Sequence, residues 1–315
     1  MQLPSTQVTR AVIQRYARLR RRYAEDLGVR PLVLPNGSYF PDRFMADAAS
    51  LERITRRMQA HAGMRDIPIR AEVIGSESAP ASSHCTTGAC GVPSSASSGK
   101  PRLIDDGKDG WRIQVPEAEL RHPVALTTNL ARSLAFIFLV ETQNEGELLE
   151  PPVDVTADLI AVALGFGPLM LQGAYIYAKS CGGPQVASVT KINLGELAIA
   201  VALFAALDDH ALAPALKELD ATQRSALTEA QDLMRANRAL LETLAADPLK
   251  IADGHFELEA PGSFLSNWMR RRRQSKTSDA LDQANATMDL DEVEALLISM
   301  PPSSSAGRPR LKAST

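Results

Sequence analysis

The stretch His122-Pro-Val-Ala-Leu-Thr-Thr-Asn-Leu-Ala-Arg-Ser-Leu-Ala-Phe-Ile-Phe-Leu-Val140 decides the fold. Pro123 stands in the first turn, where a helix tolerates proline because the missing N–H would have no partner there. The residues that follow are mostly apolar. We therefore predict a long apolar helix that begins at His122-Pro123 and continues through Val140.

A second apolar stretch follows, Asp154-Val-Thr-Ala-Asp-Leu-Ile-Ala-Val-Ala-Leu-Gly-Phe-Gly167. We expect Asp154 or Thr156 to cap its helix. Residues 159–178 are uncharged and about long enough to span a bilayer, but they contain three glycines and Pro168. A buried core helix, broken near Pro168, is the favoured interpretation, and a membrane span is the alternative.

Shorter patterns complete the predicted elements. Helical periodicity predicts helices at residues 5–27, 47–63, 193–207 and 222–246, of which the third has Asn193 as its cap and Glu196 as capping-box partner. Alternation predicts strands at residues 67–74 and 111–115, and a strand or extended segment at residues 31–35, between two prolines. The predicted fold class is α+β and mainly helical, with a small sheet packed on a helical core.

Composition shifts suggest how the chain is organised. We expect one domain over residues 1–210, which contains a flexible Ser- and Gly-rich loop at 75–100. Residues 211–300 are expected to form a helical C-terminal region, with short helices at 264–273 and 290–300. Residues 301–315 have the composition of a disordered tail.

Composition also excludes several classes of function. The 315 residues are 45% hydrophobic and 23% charged, as in an ordinary globular protein. A net charge of -3 and 5% aromatic residues argue against a nucleic-acid partner. Three cysteines do not make a secreted disulfide scaffold, and no signal peptide is recognisable, so a soluble cytoplasmic protein is expected.

Two segments resemble a group of uncharacterised bacterial zincin-like proteins. The active helix of that family reads roughly L-A-H-E-L-A-H-V, and a downstream segment reads roughly E-P-L-T-D-L-L-T-V-F-L-G-L-G. Here the first segment is Leu130-Ala-Arg-Ser-Leu-Ala-Phe-Ile137, and the second is the stretch from Asp154 to Gly167. The second match is the stronger one, because Asp158-Leu-Ile160 and Leu164-Gly-Phe-Gly167 fall in register. The resemblance covers about residues 30–210 and implies a zincin-like fold.

The resemblance also implies a degenerate active site. In such proteins two histidines four residues apart bind zinc, and a glutamate between them activates water. Here Arg132 replaces the first ligand, Ser133 the general base and Phe136 the second ligand. Arginine stays protonated, phenylalanine has no donor atom and serine is a weak base. Asp154 alone could still ligate, and one carboxylate does not hold zinc, so no catalytic residue is predicted.

Asp154 and Asp158 lie four residues apart on one predicted helix face. Paired carboxylates serve acid–base chemistry in some enzymes, but we favour a structural role. Asp154 would complement the helix dipole, and Asp158 would pair with a basic neighbour such as Arg132. Such an ion pair would refill a vacated metal site and avoid an unpaired buried charge, which predicts a filled, inert cleft.

Elsewhere, His84-Cys-Thr-Thr-Gly-Ala-Cys-Gly91 is the most distinctive pattern. Together with Cys181, the residues His84, Cys85 and Cys90 could form a Cys3His structural zinc site. A Cys85–Cys90 disulfide and free thiols are the alternatives. No other cofactor is expected. The basic clusters 18–22 and 270–273 are interpreted as solvated faces rather than as phosphate-binding sites.

The sequence thus favours a non-catalytic, zincin-like protein with an interaction or regulatory role and an unidentified protein partner. One alternative is a metal-dependent hydrolase with atypical ligands, namely Asp154, His122 and the cysteines. The other is a membrane-associated helical protein that uses its long apolar helix. The oligomeric state is not indicated by any motif.

Overall fold

The apolar stretches form helices in the computed structural model, which describes residues 3–75, 102–143, 149, 151–180 and 183–259. The α-helices of this part are α1 (Thr6–Arg22), α2 (Ala24–Leu27), α3 (Ala48–His61), α4 (Pro123–Glu141), α5 (Val153–Ala161), α6 (Gly167–Ala174), α7 (Leu194–Leu207), α8 (Ala213–Glu218), α9 (Ala221–Ala236), α10 (Arg238–Ala246) and α11 (Pro248–Ala252). The strands are β1 (Ile69–Ile74), β2 (Arg102–Asp105), β3 (Trp111–Pro116), β4 (Ile176–Ser180) and β5 (Gly183–Ala187). Short 3₁₀ helices lie at Gly107–Asp109 and Glu117–Arg121, and a π-helical turn, Val162–Phe166, joins α5 to α6.

Side-chain caps set the beginnings of several helices. The Asp47 carboxylate accepts a hydrogen bond from the Ser50 N–H at 2.7 Å, and α3 begins at the next residue. The Asn193 amide oxygen likewise accepts from the Glu196 N–H at 3.0 Å before α7. Both predicted starts are therefore confirmed, because each cap satisfies a backbone donor that the helix itself leaves unpaired.

The main sheet has the strand order β1-β3-β2. β3 runs parallel to β1 and antiparallel to β2, as the pairs Ala71 with Ile113 and Leu103 with Ile113 show. Trp111, Ile113 and Val115 are buried on one face of β3, so alternation predicted this strand correctly. A separate antiparallel hairpin consists of β4 and β5.

The core is built around α7, whose residues are apolar and buried on nearly every side. Helices α1, α6 and α9 pack against it, while α4 packs against α5 and α6, and α11 against α1. The chain divides into a unit over Met1–Pro261 and another over Gly262–Thr315, the second of which lies outside the described residues. The predicted α+β, mainly helical fold class is confirmed.

Two predicted helices are shorter than expected. The helix predicted at residues 5–27 ends at Arg22, and the short α2 follows. The helix predicted at 222–246 breaks at Asn237. The Asn237 side chain donates to the Leu233 carbonyl at 2.8 Å and to the Glu259 carbonyl at 2.9 Å, and it accepts from the Glu259 N–H. A later segment thus binds at this break, and no local pattern signals it.

A sharp kink lies between α5 and α6. Gly165, in the π-helical turn, has φ of 95°, in the left-handed region that favours glycine. The kink is therefore at Gly165 and not at Pro168, which lies in the first turn of α6, where proline is tolerated. The Gly165 carbonyl accepts a hydrogen bond from the Val33 N–H at 2.9 Å. Residues 31–35 therefore pack against the kink as an extended segment rather than as a strand.

Two helical segments, Pro123–Glu141 and Val153–Ala174, are long and apolar enough to cross a membrane. The fold buries 61% of the first and 83% of the second. Core helices of soluble proteins pass the same test of length and composition, so this burial favours the core interpretation.

Several predictions lie on residues that the structure does not describe. These are the loop at 75–100 beyond Gly75, the helices at 264–273 and 290–300, and the tail at 301–315. They stay predictions from the sequence.

Gly165→Ala is expected to lower the free energy of unfolding by about 2–4 kcal/mol. A Cβ there would meet the Pro31 carbonyl oxygen at 2.1 Å, and alanine disfavours the positive φ. Chemical denaturation followed by circular dichroism would measure the loss. Gly37→Ala is the control, because no atom lies within 4 Å of its added Cβ. Equal stability of the two variants would contradict the proposed close approach.

Candidate functional site

The site predicted around Arg132 lies where α4 packs against α5. Arg132 stands in the middle of α4, and Asp154 and Asp158 lie one helical turn apart on α5. Because residues four apart share a face of a helix, both carboxylates point toward the same side of α4. The structure therefore brings the three charged residues of the predicted site together.

The predicted ion pair between Arg132 and Asp158 is confirmed. The Arg132 Nε donates to Asp158 Oδ1 at 2.6 Å, and the two side chains are 1% and 0% exposed. A charge buried so completely is tolerated only when it is paired and hydrogen-bonded. The guanidinium thus occupies a fixed position inside the fold.

The second oxygen of Asp158 is also bound. Asp158 Oδ2 accepts from the backbone N–H of Lys191 at 2.6 Å and from that of Ile192 at 3.1 Å. Burial raises the pKa of the Asp158 carboxyl, while Arg132 and the two backbone donors oppose that effect. The carboxylate consequently joins α4, α5 and the segment that precedes α7.

Asp154 has a different environment. Its Oδ1 lies 3.6 Å from the Arg132 Nη2, and its side chain is 39% exposed. The prediction that Asp154 or Thr156 caps α5 is wrong, because Pro152 holds the cap position and makes no side-chain bond. Asp154 instead lies in the first turn, where its charge complements the helix dipole. The Thr156 hydroxyl accepts from Arg15 Nη2 at 2.6 Å and ties α5 to α1.

A cavity of about 390 Å³ adjoins the ion pair. It is bordered by Arg132, Asp154 and five apolar side chains, Leu103, Phe136, Leu149, Val153 and Ala157. The expectation of a filled cleft is therefore corrected. Arg132, which the resemblance aligns with the first metal ligand, borders this open space, and Phe136 forms part of its wall.

Ser133, which the resemblance aligns with the general base, is not among the described residues that line this cavity. It is buried, and its hydroxyl donates to the Asn129 carbonyl at 2.8 Å within α4. The Asn129 amide in turn donates to Glu119 Oε1 at 2.6 Å. Burial raises the pKa of Glu119, against the opposing effects of Asn129 and His122.

The candidate metal ligands are not assembled in the described part of the chain. In that part no group of three or more His, Cys, Asp or Glu side chains is placed to hold a metal ion. His122 precedes α4 and does not line the cavity that Asp154 borders. The proposed structural set His84, Cys85, Cys90 and Cys181 lies outside the described residues.

Several polar residues outside this cavity have structural partners. The His61 ring contacts Tyr39 and Phe40, and His210 bonds the Arg30 carbonyl at 2.8 Å. In the basic cluster 18–22, Arg20 pairs with Asp208 at 2.9 Å. These contacts give the three residues structural roles, and Arg20 is partly buried in its ion pair rather than fully solvated.

Two parts of the site have no signal in the sequence. The backbone donors at Lys191 and Ile192 carry no side-chain motif, and Leu103 comes from β2, far from α4 along the chain. The four residues of β2, Arg-Leu-Ile-Asp, do not alternate between polar and apolar, so no strand pattern marks them. The cavity therefore could not be predicted from the sequence.

Replacement of Arg132 alone should lower the free energy of unfolding far more than replacement of Arg132 and Asp158 together. Arg132→Met leaves the Asp158 carboxylate buried beside an apolar side chain, and we expect a loss of about 3–5 kcal/mol. Arg132→Met with Asp158→Asn removes both charges and keeps an oxygen for the Lys191 and Ile192 donors. The double variant should therefore recover most of the free energy of unfolding that Arg132→Met loses, as measured by denaturant unfolding. A double variant no more stable than Arg132→Met would contradict this account of the pair.

Glu119→Gln should stabilise the protein more at pH 7 than at pH 4. Burial raises the pKa of Glu119, so the unfolded chain loses this proton at lower pH than the folded chain. Ionisation of Glu119 therefore costs folding stability as pH rises through that range. Glutamine keeps an acceptor for Asn129 without the charge. Unfolding free energies at both pH values, with the exposed Glu117→Gln as control, measure the effect. A gain that is equal at the two pH values would contradict the assignment.

The chain was compared with protein-family models, curated proteins and solved structures, and none of them matches it. The resemblance to zincin-like proteins therefore stays a prediction from the sequence.

Proposed function

We propose that the chain is a non-catalytic, zincin-like protein of the cytoplasm with an interaction or regulatory role. Its cleft between β2, α4 and α5 would bind a group of its partner without hydrolysing it. The observation that carries the proposal is the buried Arg132–Asp158 ion pair, whose arginine stands where the resemblance would put the first metal ligand.

The donor atoms of this pair argue against a metal ion at the same place. The guanidinium has no lone pair to offer to a metal ion. Asp158 has both oxygens engaged, by Arg132 and by the backbone of Lys191 and Ile192. Among the described residues that border the cavity, Asp154 is then the remaining carboxylate, and a single carboxylate does not hold zinc.

The shape of the cleft supports binding. Its volume of about 390 Å³ falls within the range of small-ligand pockets, roughly 300–1,000 Å³. Most of the side chains that line it are apolar, with Asp154 and Arg132 as the charged ones. This combination is typical of binding sites, where apolar walls supply affinity and a few polar groups supply orientation.

Restoring the missing ligands tests the zincin-like placement. Positions 132, 136 and 154 border one cavity, so Arg132→His with Phe136→His would set two imidazoles beside Asp154. Asp158→Asn is added to avoid an unpaired charge. We expect this triple variant to bind one more zinc ion than the wild type, as measured by elemental analysis after dialysis. The same variant with alanine at 132 and 136 is the control. A folded triple variant without the extra zinc would overturn the placement.

Measurements of hydrolysis and of bound zinc on the wild-type protein test whether it is non-catalytic. We expect no metal-dependent hydrolysis of a peptide substrate such as casein, and no zinc that depends on Asp154 or His122. Stoichiometric zinc that is lost in Asp154→Ala or His122→Ala would overturn the proposal in favour of the metal-dependent hydrolase. Zinc that is lost only when Cys85, Cys90 and Cys181 are changed to serine would be structural and would leave the proposal standing.

A further inference from the structure

We propose that the cavity beside Arg132 recognises an apolar chain that carries an ammonium group. This inference rests on the proposed binding function and names the chemistry of the ligand. It follows from the wall of the cavity, the sum of charges beside it and the exposure of Asp154.

The wall selects for an apolar body. Leu103 of β2, Phe136 of α4, and Val153 and Ala157 of α5 border the cavity from three elements of the fold. An alkyl chain placed among these side chains would leave water, and the burial of each methylene group would favour binding. A strongly hydrated ligand would gain nothing there and would lose its hydration.

The charges select for a cationic end. Arg132 carries one positive charge, and Asp154 and Asp158 carry one negative charge each when ionised, so the cluster has a charge of -1. Asp158 is neutralised by its 2.6 Å bond to Arg132, whereas Asp154 lies a full ångström farther from the same guanidinium, at 3.6 Å. The excess negative charge is therefore centred on Asp154.

Asp154 is also the charged group that a ligand can reach. Its side chain is 39% exposed, against 1% for Arg132 and 0% for Asp158. An alkyl chain that covers this carboxylate without pairing with it would leave a desolvated charge, which is costly. A carboxylate ligand would meet like charge. An ammonium group would instead form a charge-assisted hydrogen bond with Asp154.

Three probes with the same eight-carbon chain separate these cases. Octylamine, octanol and octanoate differ in charge at pH 7, being cationic, neutral and anionic. We expect titration calorimetry on the full chain to give tightest binding for octylamine, weaker for octanol and weakest for octanoate. Asp154→Asn should weaken octylamine by about fivefold, the size expected for a partly exposed ion pair, and should leave octanol unchanged. Asp232→Asn, at an exposed ion pair on α9, is the matched control.

Ala157→Leu tests the location. The added methyl groups would project from the cavity wall, and we expect all three probes to bind more weakly. Circular dichroism checks that this variant folds, and Asp154→Asn tests the site without a change in volume. A lysine side chain of a partner and a free alkylamine share this chemistry. Competition of the peptide acetyl-Leu-Lys-Leu-amide with octylamine would identify the lysine side chain of a partner as the ligand.

The outcomes separate the two proposals. Octanol or octanoate binding as tightly as octylamine would overturn the ammonium inference and leave the binding cleft intact. An octylamine affinity that is unchanged in Asp154→Asn would also overturn the ammonium inference and leave the binding cleft intact. Failure of all three probes to bind would overturn the inference together with the cleft as a binding site. A preference for octylamine over octanol that is lost in Asp154→Asn but kept in Asp232→Asn would support the ammonium inference.

Discussion

The buried carboxylate of Asp158 is the group on which the arrangement of the core depends. It binds the Arg132 guanidinium of α4 through one oxygen and two backbone N–H groups before α7 through the other. A carboxylate in the protein interior is costly unless every oxygen has a partner. Helices α4 and α5 and the start of α7 can therefore pack in few alternative ways without exposing or orphaning that charge.

This constraint also sets the chemistry of the cleft. Because the guanidinium is held by Asp158, Arg132 borders the cavity as a group that has no lone pair for a metal ion. Asp154, one turn earlier on α5, is half-exposed and borders an otherwise largely apolar space. The proposed absence of hydrolysis and the proposed preference for an ammonium group both rest on this arrangement of Arg132, Asp154 and Asp158.

Gly165 is the second constraint on this region. Its positive φ turns the apolar segment between α5 and α6, and the absence of a side chain lets Pro31 approach. The Val33 N–H then bonds the Gly165 carbonyl, so an early segment of the chain covers the kink. A straight helix over Val153–Ala174 would offer no such carbonyl, because its hydrogen bonds would be satisfied internally.

The sequence by itself determined the elements whose signals are local. Asp47 and Asn193 mark helix starts by their caps, alternation marks β3, and the spacing of Asp154 and Asp158 places both on one face toward Arg132. Only the tertiary structure decided the break at Asn237, the backbone donors for Asp158 and the cavity beside Phe136. Each of these depends on groups far apart along the chain, and backbone amides and packed side chains leave no local pattern by which such partners can be recognised.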